Sequence, residues 1–292
     1  MNQKNNKVYI IAEAGINHNG NIDNAIDMII AAKNIGADCI KFQAFQIDKL
    51  VSDKAASATY QKKETGKNKQ KEFLRDLVLT KEDFKLLYEK CKELKIDFLC
   101  TAFDEDLLLY LAKLGMKAVK IPSGEITNFP YLNFVAKLSL PVILSTGMSN
   151  LSEVKLAIKF LLNKNSKLDI TILHCTSIYP APHKTLNLLA IDTLLKEFNI
   201  KVGYSDHSKG NTSSIAAIGI GARLIEKHFT LNKDFSGPDQ KASADVEEFS
   251  SLIKEIRILE NALRAIQSRD NQHDSSFASP AASCVLSIKR SN

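Results

Sequence analysis

The chain has 292 residues, of which 45% are hydrophobic and 25% charged, with a formal net charge of +6. That is the make-up of a soluble globular protein, long enough for one large α/β domain or two ordinary ones. The small, scattered basic excess gives no reason to expect a nucleic-acid partner, and no run of about 18 apolar residues offers a membrane span.

In chain order, Val8 to Ala14 is a short apolar run that reads as a strand and leads into the polar stretch Glu13 to Gly20. Ile22 to Ile35 has helical spacing and is ended by Gly36. Asp38 to Phe45 is a second strand, followed by a long polar stretch from Gln46 to Lys71. A loop of that size in a compact domain usually carries function or disorder. Thr80 to Leu94 is an amphipathic helix, with Thr80 as N-cap and Asp83 at the capping-box position. Strands are expected at Asp97–Ala102, Lys117–Ile121, Pro141–Ser145, Asp169–His174, Lys201–Ser205 and Ala222–His228. Helices are expected between and after them at Glu105–Leu114, Tyr131–Leu138, Leu151–Leu162, Leu186–Phe198, Asn211–Ile220 and Val246–Ile266. The five cysteines are odd in number and scattered; four sit in or beside apolar runs and read as free thiols of a reducing, cytoplasmic compartment.

Eight strands alternate with helices, and most are near-continuous apolar runs, as strands covered on both faces should be. The reading is α/β, a (β/α)8 TIM barrel spanning residues 1–267, with 268–292 as a polar, disordered tail. A doubly wound open sheet is the runner-up; it lacks a glycine-rich phosphate fingerprint after the first strand.

In a barrel the strand C-termini share one rim, where such enzymes keep their sites. Polar residues break the apolar runs there: Glu13, Lys41 and Gln43, Thr101 and Asp104, Lys120 and Ser123, Ser145 and Thr146, His174, Ser205 to His207, and His228. His207 and His228 end the last two strands, and neutral imidazoles on one rim are the usual start of a divalent metal site; local capping is the competing reading. Lys41 and Lys120 point to a phosphate or carboxylate, with Thr101, Ser123 and Ser205 as hydroxyl donors. The competing reading is an internal ion pair with Glu13 or Glu125. Either lysine could also form a Schiff base, which defines an aldolase alternative. Glu13 or Glu125 could act as general base, and His18 reads as a solvated loop residue.

The ordered series Ala12–Gly20, Lys41–Gln43, Lys120–Glu125, Ser145–Met148, His174–Ser177, Tyr179–Pro180, Gly203–His207, Glu226–Phe229 and Gly237–Asp239 resembles the sialic acid synthase family, over about Val8 to Leu263. The resemblance implies condensation of phosphoenolpyruvate with N-acetylmannosamine to give N-acetylneuraminate and phosphate. The stretch Tyr60–Lys63 through Thr65–Gly66 is similar to the neuraminate and legionaminate branches, so an N,N'-diacetyllegionaminate synthase is the alternative. It further implies Mn2+ or Mg2+ on His207 and His228. Lys120, Ser123, Thr101, Ser205 and Lys41 would hold phosphoenolpyruvate, and Glu13, Gln43, Tyr179 and Asp239 would contact the sugar. Glu125 or the metal would help deliver water. Ser177 and Gln240 depart from the family pattern, which more often has asparagine and histidine there. Relatives continue into a C-terminal antifreeze-like domain. Its absence from this sequence leads us to expect a weakened homodimer, and leaves a shortened paralogue that binds but turns over slowly as a further alternative.

Overall fold

Eight short strands run parallel: β1 (Tyr9–Gly15), β2 (Cys39–Ala44), β3 (Asp97–Ala102), β4 (Val119–Ile121), β5 (Val142–Ser145), β6 (Ile170–Cys175), β7 (Lys201–Asp206) and β8 (Leu224–His228). Hydrogen-bonded neighbours follow the order β3-β2-β1-β8-β7-β6-β5-β4, and β3 packs beside β4 to bring the sheet nearly full circle. This computed structural model describes residues 7–58, 61–62 and 65–269. The expected (β/α)8 barrel is the fold.

A helix follows each strand before the next begins: α1 (Ile22–Asn34), α2 (Lys81–Leu94), α3 (Glu105–Leu114), α4 (Phe129–Leu138), α5 (Leu151–Lys164), α6 (Ala190–Phe198), α7 (Thr212–Ile220) and α8 (Val246–Arg269). Most strands are largely apolar on both faces, because one face meets the barrel interior and the other meets helices. Ile10, Ile40, Cys100 and Leu144 are fully buried, as are the helix residues Ile29, Leu87, Leu108 and Leu161. The capping chemistry is local and specific. Thr80 Oγ1 accepts from Asp83 N at 3.1 Å while Asp83 Oδ2 accepts from Thr80 N at 2.8 Å, closing the expected box at the start of α2.

Several boundaries shift for identifiable reasons. The helix expected from Leu186 begins at Ala190, because Asn187 takes a left-handed conformation, φ 46°, that no α-helix continues through. α4 starts two residues early because Asn128 caps it and Pro130 fits the first turn. α8 passes the boundary expected at residue 267 through Ser268 and Arg269. Residues 270–292, including Cys284, lie outside the described residues, as do Tyr60, Lys63 and Glu64.

The long stretch after β2 is anchored. Short helices at Ile47–Leu50 and Gln70–Leu74 flank it, and an antiparallel bridge joins Ala56 to Lys69. Phe73, Leu74 and Leu77 pack with Ile16 and Phe45 in a small apolar cluster of their own. That cluster seats the end of this stretch beside Ile16 and Phe45, the residues that follow β1 and β2. Among the described residues no helix is long and apolar enough to cross a membrane.

Candidate active site

A cavity of about 460 Å³ opens at the C-terminal ends of the strands. Its walls bring together Glu13, Lys41, Gln43, Thr101, Lys120, Ser123, Ser145, Ser177, Tyr179, Ser205, His207 and His228, carried by the strands or the segments that follow them. The two-residue period of the strands explains why: on β8, Glu226 and His228 face inward while Lys227 faces the helices. The loop adds Ala58, Gln61 and Gln70 to the mouth, with Phe103 and Met148 nearby.

Four charged side chains lie almost wholly buried in the floor: Glu13, Lys41, Lys120 and Glu226. Burying isolated charges costs several kcal/mol each, so they must pair. Lys41 Nζ lies 2.7 Å from Glu13 Oε2 and 3.8 Å from Glu226 Oε2, and donates to Thr101 Oγ1 at 3.0 Å. Lys120 Nζ donates to Glu226 Oε1 at 3.1 Å, which also accepts from Ser205 Oγ at 3.2 Å. Gln43 Nε2 donates to Glu13 Oε1 at 3.0 Å. The expected internal ion pairs thus exist. Lys41 takes Glu13, while Lys120 takes Glu226 and not Glu125.

The electrostatics follow from burial and pairing. Burial pushes the Glu13 carboxyl up, and the nearby Lys41 ammonium opposes this without cancelling it. Burial would also raise Glu226, but Lys120 and Lys41 outweigh it and hold that carboxyl down, at about 2. Burial would lower Lys41, yet Glu13 and Glu226 more than offset it and keep its ammonium protonated.

His207 and His228 meet across β7 and β8, with ring centroids 5.5 Å apart, and the Tyr179 ring lies 4.2 Å from His207. His207 Nδ1 lies 2.7 Å from the Thr176 carbonyl, to which only an Nδ1–H can donate, so Nε2 keeps its lone pair. His228 Nδ1 is buried with no hydrogen-bond partner. Burial lowers His207 to about 4 and, together with the neighbouring His207 and Lys41, holds His228 well below the usual histidine range. Both rings are neutral.

Two glycines make room for this arrangement. Gly15 ends β1 at φ 54°, and a Cβ there would press to 3.2 Å on Gln43 Nε2. At Gly147 a Cβ would collide with Ser177 Oγ and come within 2.8 Å of Cys175 Sγ and Ser123 Oγ. The Gly147 N–H donates to Ser123 Oγ at 2.9 Å.

Two expected site residues lie elsewhere. Glu125 does not line the cavity; it closes a short turn, and its Oε2 accepts from Asn128 Nδ2 at 2.6 Å. Asp239 is outside the cavity wall, but burial, and then the charge of Glu13, push its carboxyl up to about 7. His18, expected in solvent, is fully buried, its ring tilted against Phe42 at 6.2 Å. Gln240 is also buried, with its Nε2 donating to the Asn17 carbonyl at 2.9 Å. Glu226, Cys175, Gln61 and Gln70 line the cavity although the sequence reading gave them no role there. Glu226 alone leaves a signal, as a charge inside an apolar run two places before His228, hence on the same face.

The rim of this parallel barrel thus presents two buried ammonium groups, Lys41 and Lys120, and a pair of imidazoles, His207 and His228, to one cavity. A family model matches residues 28–268, and the chain belongs to the NeuB family. It is 46% identical over 270 residues to an N,N'-diacetyllegionaminic acid synthase of Legionella pneumophila, covering 91% of this chain and 76% of that protein. An N,N'-diacetyllegionaminic acid synthase of Campylobacter jejuni is likewise 46% identical, over 88% of this chain and 78% of that one. Among solved structures, the N-acetylneuraminic acid (sialic acid) synthetase of Leptospira borgpetersenii in complex with citrate superposes with a TM-score of 0.81 at 32% identity, over 98% of this chain and 92% of that one.

Proposed function

We propose that the chain condenses phosphoenolpyruvate with a diacetamido sugar to give N,N'-diacetyllegionaminate and phosphate. The observation that carries the donor half is the pair of buried lysines, Lys41 and Lys120, facing one cavity beside the hydroxyls of Thr101, Ser123, Ser145 and Ser205. A polyanionic enol phosphate needs fixed cations and hydroxyl donors of this kind. The acceptor half rests on the 46% identity to two N,N'-diacetyllegionaminic acid synthases, which favours this alternative over N-acetylmannosamine. The acceptor is the sugar left when a three-carbon pyruvyl unit is taken from that product. Ala58, Phe103 and Met148 at the mouth offer apolar surface to its acetyl groups.

Carbon 3 of phosphoenolpyruvate attacks the open-chain aldehyde, whose oxygen takes up a proton to become a hydroxyl as its π bond breaks, and positive charge develops at C2. Water adds at C2 and gives up a proton. The adduct then expels phosphate with the former bridging oxygen, leaving the C2 carbonyl. Lys41 and Lys120 hold the anion throughout. Glu13, whose carboxyl is raised by burial and lines the cavity, is the group suited to take the water's proton; Glu125 is turned away. Glu226, held ionised, sets the spacing of the two ammonium groups.

His207 and His228 fit a divalent cation, Mn2+ or Mg2+, because burial favours neutral rings, His228 Nδ1 has no hydrogen-bond partner and His207 Nε2 meets only the Ser205 hydroxyl, at 3.3 Å. Among the described residues no third histidine, cysteine or carboxylate completes a metal group with them, so water or substrate would fill the other positions. Such a cation would polarise the sugar aldehyde as a Lewis acid.

A Schiff base at Lys41 is disfavoured, since that side chain is held as an ammonium by Glu13 and Glu226 and an imine needs a free amine. Phosphoenolpyruvate carrying ¹⁸O in its bridging position tests the reaction. The label should leave entirely in phosphate; label retained in the sugar acid would overturn the proposal.

A further inference from the structure

Behind the histidine pair, on the outer face of the same two strands, lies a second pair that the reaction does not use. Asp206 and Lys227 are register partners on β7 and β8, and Lys227 Nζ lies 3.0 Å from Asp206 Oδ2. Each immediately precedes one of the histidines in sequence. Extending the register by one step sets His207 opposite His228.

Both charges are almost wholly buried, at 1% and 4% exposure, and neither reaches the cavity. Asp206 is saturated with donors. Its Oδ1 accepts from Ser208 N at 2.8 Å and Ser208 Oγ at 2.6 Å, and its Oδ2 accepts from Ser214 Oγ at 2.7 Å. Lys227 also donates to the Ser208 carbonyl at 2.6 Å. The residues on either side of His207 are therefore both tied to Lys227, Asp206 through its carboxylate and Ser208 through its carbonyl. A buried ion pair is a costly way to gain stability, because an apolar pair of equal volume often does as well. Its use lies in fixing a geometry, and in this barrel that geometry is the facing of two imidazoles.

We propose that Asp206 and Lys227 are positioning residues for a cation held by His207 and His228, an inference that rests on the metal reading of those two histidines. They lock the end of β7 against the end of β8, so that both imidazole nitrogens converge without either strand end having to be ordered on binding. Outer partners of metal ligands typically change metal affinity by about 10–100-fold when removed.

The test is Mn2+ binding to the full chain, followed by electron paramagnetic resonance and calorimetry, alongside phosphoenolpyruvate binding to the same protein. Lys227→Met leaves a buried unpaired carboxylate and can fail to fold, so the informative variant is the neutral double Asp206→Asn/Lys227→Met. It should fold, bind phosphoenolpyruvate within about twofold of the native chain, and bind Mn2+ about 10-fold or more weakly. Lys227→Arg alone, which keeps the pair, should retain most of the native Mn2+ affinity. His228→Ala is the control for the metal reading. If the native chain binds Mn2+ and His228→Ala abolishes it, while the double variant stays within twofold, the positioning role is wrong and the metal site stands. If the native chain binds no Mn2+, the metal reading falls and the positioning role falls with it. A double variant that loses Mn2+ and phosphoenolpyruvate equally would mark the pair as merely structural and overturn the proposal.

Discussion

The ammonium of Lys120 lies 3.1 Å from the carboxylate of Glu226, at the centre of a barrel where both side chains are about 5% exposed. Glu226 reaches Lys41 as well, at 3.8 Å, so one carboxylate spaces two cations that face the same cavity. In the proposed reaction that spacing receives the donor's two anionic ends.

Lys120→Ala should therefore weaken phosphoenolpyruvate far more than sugar. A hydrogen bond to a charged group contributes about 1.5–3 kcal/mol, or roughly 10–150-fold in affinity. The measurement is the KM for each substrate, with thermal unfolding as a check that Glu226, stripped of one partner, has not undone the fold. Equal losses for both substrates would make Lys120 structural.

Glu13 and Glu125 should separate cleanly. Glu13→Gln should lower kcat by roughly 10²-fold or more, the range for loss of a proton-transfer group. Glu125→Gln should change kcat less than about threefold, since its carboxylate serves Asn128 and the worth of such a surface contact is about 1 kcal/mol in stability. The steady-state rates of the two variants decide this, and a larger loss at Glu125 would put the base in the wrong place.

Strand ends are the legible part of the site. Glu13, Lys41, Lys120 and His228 each interrupt an apolar run, and a parallel barrel carries such interruptions to one rim. Register is not legible. No local pattern says that Ser205 lies beside Glu226, or that Lys120 selects Glu226 as its partner from a strand more than a hundred residues away. Glu226 is also masked by its neighbour, because Lys227 breaks the same run and faces outward. Glu125 is misplaced by sequence because a tight turn over Ser123–Glu125 rotates it off the cavity wall, and turns of that kind carry no side-chain period. Asn187 breaks a helix that its flanking apolar spacing promises.

Asp239 gives a pH test. Its carboxyl stands at about 7 in the folded chain against an ordinary 3.8. The folded state thus holds that proton more tightly than the unfolded one. The corresponding stability is fully present below about pH 4 and is lost as pH rises through 7. Asp239→Asn should raise the melting temperature at pH 8 relative to the native chain, and should give no such gain near pH 4. A residue kept at a cost in stability points to function, so the same variant should raise the sugar KM. Stabilisation that does not depend on pH would refute the ionisation argument.

Removal of metal is a further check. Thorough chelation should abolish turnover and Mn2+ should restore it, while His207→Ala should respond to neither treatment. Full activity in the chelated protein would remove His207 and His228 from the chemistry.

The most direct test of the proposed synthase is phosphate release from phosphoenolpyruvate, in the presence of Mn2+, across a panel of acylated amino sugars. Recognition of a second acetamido group in a formed pocket should favour the diacetamido precursor of N,N'-diacetyllegionaminate over N-acetylmannosamine by about 10-fold or more in kcat/KM. Phosphate release that is equal for both, or faster with N-acetylmannosamine, would contradict the proposed acceptor, and no release with any sugar would contradict the synthase itself.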